Sequence, residues 1–146
     1  MIPLIVLLIS FALFRLAGLE FAYFEDWQHA LRAALGVMFL LTASAHWGRR
    51  RPDLMQMVPS VSRYPGVWVT LTGIAEVLIA FGLQIPRTAS AAAVSAVAML
   101  ICMFPANAKA ARERLTIGGR PVPRLGARLA IQLVFLVALG ASIWHR

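Results

Sequence analysis

Apolar residues fall into five long blocks separated by short polar joints: Ile2 to Leu19, Leu31 to Trp47, Gly66 to Ile85, Ala89 to Ala106 and Leu129 to Trp144. A helix of about 20 apolar residues crosses the roughly 30 Å hydrocarbon core of a bilayer. The blocks therefore predict five transmembrane helices in one domain spanning residues 1–146. They lack the polar/apolar alternation of a barrel strand, and an open sheet would leave its edge groups unsatisfied in lipid. The first block begins Met-Ile-Pro without a basic leader segment, and Arg15 falls late in it. It reads as a retained helix and not as a cleaved signal. The fold class expected is all-α, an integral membrane helical bundle.

Composition strengthens that picture. The chain is 60% hydrophobic and 14% charged, against about 45–50% and about 25% in soluble domains, and its mean hydropathy is +0.77. The net charge of +8 would suggest nucleic acid in a soluble protein. Here the cations sit in the joints, and no nucleic-acid-binding motif is present. Membrane lipids are the expected partners. If five spans alternate sides, one side collects Arg49, Arg50, Arg51, Arg63, Lys109, Arg112, Arg114, Arg120, Arg124 and Arg128. The other holds Arg15, Arg32, Arg87 and Arg146. The positive-inside rule makes the first side cytoplasmic, with the N-terminus inside and the C-terminus outside.

Cys102 is the only cysteine, so neither an intrachain disulfide, a CxxC redox pair nor a thiolate zinc site can be built. Its apolar block predicts an inert buried thiol. Met99, Cys102 and Met103 share a helix face. Such soft donors suit Cu(I), but methionine is ordinary core filler, and no metal site is expected. There is no Gly-rich phosphate loop, HExxH, haem motif or recognisable nucleophile–base–orienter set.

One residue breaks the apolar pattern. In "TLTGIAEVLIAFGL", residues 70–83, Glu76 lies ten residues into its block, roughly 15 Å along a helix and close to the bilayer midplane. A charge there costs on the order of 2.5–3.5 kcal/mol. Residues 67–85 hold ten Leu, Ile, Val or Phe, each worth about −0.3 to −0.6 kcal/mol, so the segment still inserts. Leu71, Ile74, Leu78, Phe81 and Ile85 make a lipid-facing stripe, whereas Thr72, Gly73, Glu76 and Ala80 share a face where small side chains admit a neighbouring helix. Glu76 should therefore point into the bundle. Its candidate roles are proton exchange, cation binding or recognition of a ligand's polar group; the plainer one is an interhelical hydrogen bond.

By depth, Ser95 is the matching polar residue on the fourth helix. His46 closes the second helix, Asn107 ends the fourth as a candidate C-cap, and Gln132 lies one turn into the fifth. These three, with Thr72, are candidates to line a cavity open to the cytoplasmic side. Depth arithmetic separates His46 from Glu76 by about 12 Å, so a direct pair needs tilt, an unwound helix end or a bridging ligand.

The order "LTASAHW" (41–47), "RPDLMQMVP" (51–59), "LTGIAEV" (71–77), "PRT" (86–88), "MFPANAKAA" (103–111), "GGRPVP" (118–123) and "RLAIQLVF" (128–135) resembles the DoxX-like family of small bacterial membrane proteins over about residues 31–144. His46-Trp47 stands where that family often has His-Phe. The resemblance implies a four-helix core, mapped to the second through fifth blocks, plus one N-terminal transmembrane helix. It also implies a multi-pass protein of the bacterial inner membrane. The family's association with thiosulfate:quinone oxidoreduction implies an accessory or redox-associated membrane subunit, a quinone as the candidate cofactor, and an oxidoreductase partner, soluble or membrane-bound. A proton-coupled transporter, which with so few helices would form a homo-oligomer, and a purely structural scaffold are the competing readings.

Overall fold

Where each helix starts and stops depends on how its end groups are satisfied. A computed structural model describes residues 1–59 and 63–144. The second block gains four residues at its start, because Asp26 caps it: its Oδ1 accepts from the Gln28 amide at 2.8 Å. The fourth block runs past its proline. Pro105 has no N–H to return to the Ile101 carbonyl, yet the alanine-rich sequence beyond it carries the helix on to Arg112.

Six α-helices result among the described residues: α1 (Ile2–Ala17), α2 (Trp27–Ser44), α3 (Arg51–Met57), α4 (Pro65–Gly82), α5 (Ala89–Arg112) and α6 (Leu125–Ser142). Three of them, α4, α5 and α6, are long and apolar enough to cross a membrane. The 16 residues of α1 are apolar but shorter, and α2 opens with the polar Gln28, His29 and Arg32. The short α3 lies in what the apolar pattern reads as a plain loop. Its start carries a recognisable signature, Pro52 in the first turn followed by Asp53.

The five long helices run alternately up and down, as hydrogen bonds between their ends establish; the end of α1 meets the start of α2 through Arg15 Nη1, which donates to Glu25 O at 2.7 Å. At one end, Gln28 Nε2 donates to Ala141 O at 3.1 Å, Arg32 Nε to Ser142 O at 2.8 Å, and Gln84 Nε2 to Arg32 O at 3.0 Å. The start of α2 thus meets the ends of α4 and α6. At the other end, Lys109 Nζ donates to Gln56 O and Val58 O, both at 2.9 Å, and Arg128 on α6 reaches Asn107 on α5. All ten cations assigned to the basic side cluster in the segments at this second end. Arg146, assigned to the sparse side, lies outside the described residues.

In the core, α2 packs against α1, α4 and α6, and α5 bridges α4 and α6. Leu35, Met38, Phe39, Leu83 and Leu139 are almost wholly buried there, and Ala92, Ala93 and Ala96 let α5 approach closely. The exterior is the reverse of a soluble protein's: Leu78 is 67% exposed and Val137 70%. Leu71, Ile74, Phe81 and Ile85 complete an exposed stripe on α4, while Gly73, Glu76 and Ala80 are buried on its opposite side.

Between α5 and α6 a two-residue turn joins β1 (Thr116–Ile117) to β2 (Arg120–Pro121). Gly118 and Gly119 both take positive φ, 58° and 74°, as this hairpin turn demands. The Gly118 amide donates to Asp53 Oδ2 at 2.7 Å, fastening the hairpin to α3.

Candidate functional site

The site begins with a missing side chain. A methyl group on Gly73 would lie 2.7 Å from His46 Cβ, 2.9 Å from its Cγ and 2.9 Å from Trp47 Cη2. Only glycine lets the chain leaving α2 press this close to α4. The helix has already ended at Ser44, so His46 sits in the unwound turn beyond it. Freed from the helical rise, its imidazole drops against α4 one turn below Glu76. The two residues, 4% and 6% exposed, come together with His46 Nε2 3.5 Å from Glu76 Oε2. An unwound end thus closes the 12 Å that straight helices would leave.

The rest of the geometry fixes one proton of the imidazole. His46 Nδ1 lies 2.6 Å from the Val69 carbonyl oxygen. A carbonyl can only accept, so Nδ1 carries a hydrogen. Nε2 then faces Glu76 either as a donor to a carboxylate or as an acceptor from a carboxylic acid. At 3.5 Å this contact is at the edge of hydrogen bonding, and among the described residues Glu76 Oε2 is buried without a hydrogen-bond partner. Thr72 Oγ1 donates to Trp68 O at 2.8 Å and lies 3.3 Å from His46 Nδ1, within reach of the same N–H.

Arg51, the first residue of α3, holds this joint from outside. Its Nη1 donates to His46 O at 2.8 Å, and its Nη2 donates to Gly66 O at 3.0 Å and Thr70 Oγ1 at 2.9 Å.

Beside the pair lies a cavity of about 600 Å³, within the size range of small-molecule sites. His46, Val69 and Thr72 form one wall; Met99, Cys102, Met103, Ala106 and Asn107 of α5 form the facing one. Leu54, Met57, Val58 and Pro59 close it toward the basic end, and the exposed Trp68, Cys102 and Arg63 stand at its rim. Cys102 is therefore exposed and not buried as its apolar block suggests, since it faces out of the bundle.

The six candidate residues divide. His46, Thr72 and Asn107 line the cavity, with Glu76 behind His46. Asn107 is not a C-cap: it sits inside α5, and its Oδ1 accepts from Arg128 Nη1 at 2.5 Å. Gln132 is buried away from the cavity lining, donating to Leu100 O at 3.1 Å and so tying α6 to α5 near Pro105. Ser95 is exposed on α5 and does not meet Glu76. Arg51, Arg128 and Met57 have no local signature that would single them out; each matters through a partner distant in sequence. Among the described residues no cluster of three or more His, Cys, Asp or Glu side chains gathers to hold a metal.

The family described as "Domain of unknown function (DUF8561)" matches residues 35–143, and the chain belongs to that family. The match runs from within α2 to just beyond α6, so it includes every residue of the site and leaves α1 outside. No curated protein and no solved structure matches the chain.

Proposed function

We propose that the protein is a multi-pass subunit of the bacterial inner membrane that binds a small amphipathic ligand of the quinone class in the cavity beside His46 and Glu76. In this reading all five long helices span the bilayer, α2 and α4–α6 form a DoxX-like core, and α1 is an added span. The apolar exterior and the alternating helix directions support the spans. The gathering of ten cations at one end supports a cytoplasmic N-terminus.

The observation that carries the ligand reading is the cavity itself. It is mostly apolar, yet it adjoins a buried imidazole–carboxyl pair. Buried ionisable pairs are costly in a membrane protein and mark functional positions by default. Methionine walls adapt to an irregular apolar body. His46 would present its ring to the ligand while Glu76, behind it, exchanges a proton with Nε2. The membrane setting and the resemblance to a family associated with quinone-linked complexes favour a quinone, and with it an oxidoreductase partner.

The test uses the full chain in lipid nanodiscs. Added decylubiquinone should quench tryptophan fluorescence saturably, and Trp68→Phe should remove most of that signal. Organic extracts of the purified protein should contain quinone by mass spectrometry. Absence of both saturable quenching and extracted quinone would refute the reading.

A further inference from the structure

We infer that Asn107 makes the site selective for the oxidised, carbonyl-bearing form of its ligand, and that Arg128 is the residue that positions Asn107 to do so. The inference rests on the quinone reading above and adds to it which redox form is held.

A guanidinium donates hydrogen bonds and accepts none. Arg128 Nη1 stands 2.5 Å from Asn107 Oδ1 and 3.3 Å from Asn107 O, so the amide oxygen must be the atom turned toward it. The amide nitrogen, with two N–H donors, is what remains to face other groups, and it has no acceptor among the described residues. Asn107 lines the cavity. Among the described residues the other donors of the wall are directed elsewhere. The Thr72 hydroxyl proton goes to Trp68 O, and both His46 nitrogens face groups on α4. Apart from Arg63 at the exposed rim, Asn107 thus offers the free donor among the described residues of the wall.

A quinone carbonyl accepts from such a donor with nothing left over. A hydroquinone hydroxyl can accept as well, but its own O–H then needs an acceptor that the Asn107 amide nitrogen cannot supply, and an unpaired buried donor is costly. The expected preference is about tenfold for the quinone, since 1.4 kcal/mol corresponds to a factor of ten.

The experiment titrates decylubiquinone and anaerobically maintained decylubiquinol into nanodisc-held protein, read by tryptophan quenching. Wild type should bind the quinone about tenfold more tightly. In Asn107→Asp the carboxylate keeps a partner in Arg128 and turns an acceptor toward the cavity, so the preference should reverse. Arg128→Met releases the amide to rotate, so selectivity should fall toward unity with quinone binding retained; this variant decides the matter if Asn107→Asp does not fold. Equal binding of both forms by wild type overturns this inference and leaves quinone binding standing. So does an unchanged preference in the folded Asn107→Asp protein or in Arg128→Met. Binding of neither form by wild type overturns both.

Discussion

Glu76 Oε2 and His46 Nε2 face each other at 3.5 Å across the joint between α2 and α4, while Val69 O occupies the other imidazole nitrogen. Two residues thirty positions apart are thereby brought together in the bundle interior. Groups in such contact couple energetically. A double-mutant cycle over His46→Gln and Glu76→Gln, followed by thermal unfolding in detergent, should return a coupling of about 0.5–3 kcal/mol. Additive single effects would mean that the two side chains do not interact.

Gly73 and Gly126 are both helical glycines, but they predict opposite outcomes. Gly73→Ala forces a methyl into His46 and Trp47, and overpacking of this kind costs about 1–3 kcal/mol. A methyl on Gly126 meets nothing within 4 Å, so Gly126→Ala should gain up to about 1 kcal/mol from helix propensity. Unfolding temperatures of the two variants should move in opposite directions. A neutral Gly73→Ala would show that the joint is looser than drawn.

Leu78 and Ile79 are neighbours on α4, yet one is 67% exposed and the other 5%. Nitroxide labels at these positions, in a Cys102→Ser background reconstituted in lipid, should report the difference. The label at Leu78 should be mobile and relaxed by oxygen dissolved in the hydrocarbon; the one at Ile79 should be immobilised. Relaxation at Leu78 by a water-soluble paramagnetic reagent would contradict the lipid-facing stripe.

Gln132 donates its amide to a backbone carbonyl beside Pro105. Interhelical hydrogen bonds within membranes average about 0.6 kcal/mol and reach about 1.7 kcal/mol. Gln132→Leu should lower stability within that range and leave decylubiquinone binding unaltered. Lost binding at unchanged stability would place Gln132 in the site itself.

Much of this was legible in the sequence wherever a period or a composition carried it. The faces of α4 follow from helical spacing alone, since Leu71, Ile74, Leu78, Phe81 and Ile85 repeat at three and four residues. The cations gathered at one end follow from counting joints. What stayed hidden depends on distant partners. His46 reaches Glu76 because α2 stops two residues short of it and the turn beyond packs against Gly73, a partner twenty-seven positions away. Asn107 reads as a helix end because Pro105 precedes it, but the helix continues and Arg128, twenty-one residues later, engages the side chain. Ser95 matches Glu76 in depth but not in rotation about its helix axis, and depth alone cannot distinguish these.

Arg51 has a mechanical implication. Its guanidinium spans the His46 carbonyl, the Gly66 carbonyl and the Thr70 hydroxyl in a single rigid plane. Through Asp53 and Lys109, α3 is also fastened to the hairpin and to the foot of α5. Any force that tilts this short helix therefore pulls on the backbone of the imidazole-bearing turn, and through it on the gap between imidazole and carboxyl. The solvent-side segment and the sequestered acid behave as one linkage, with the arginine as its crank.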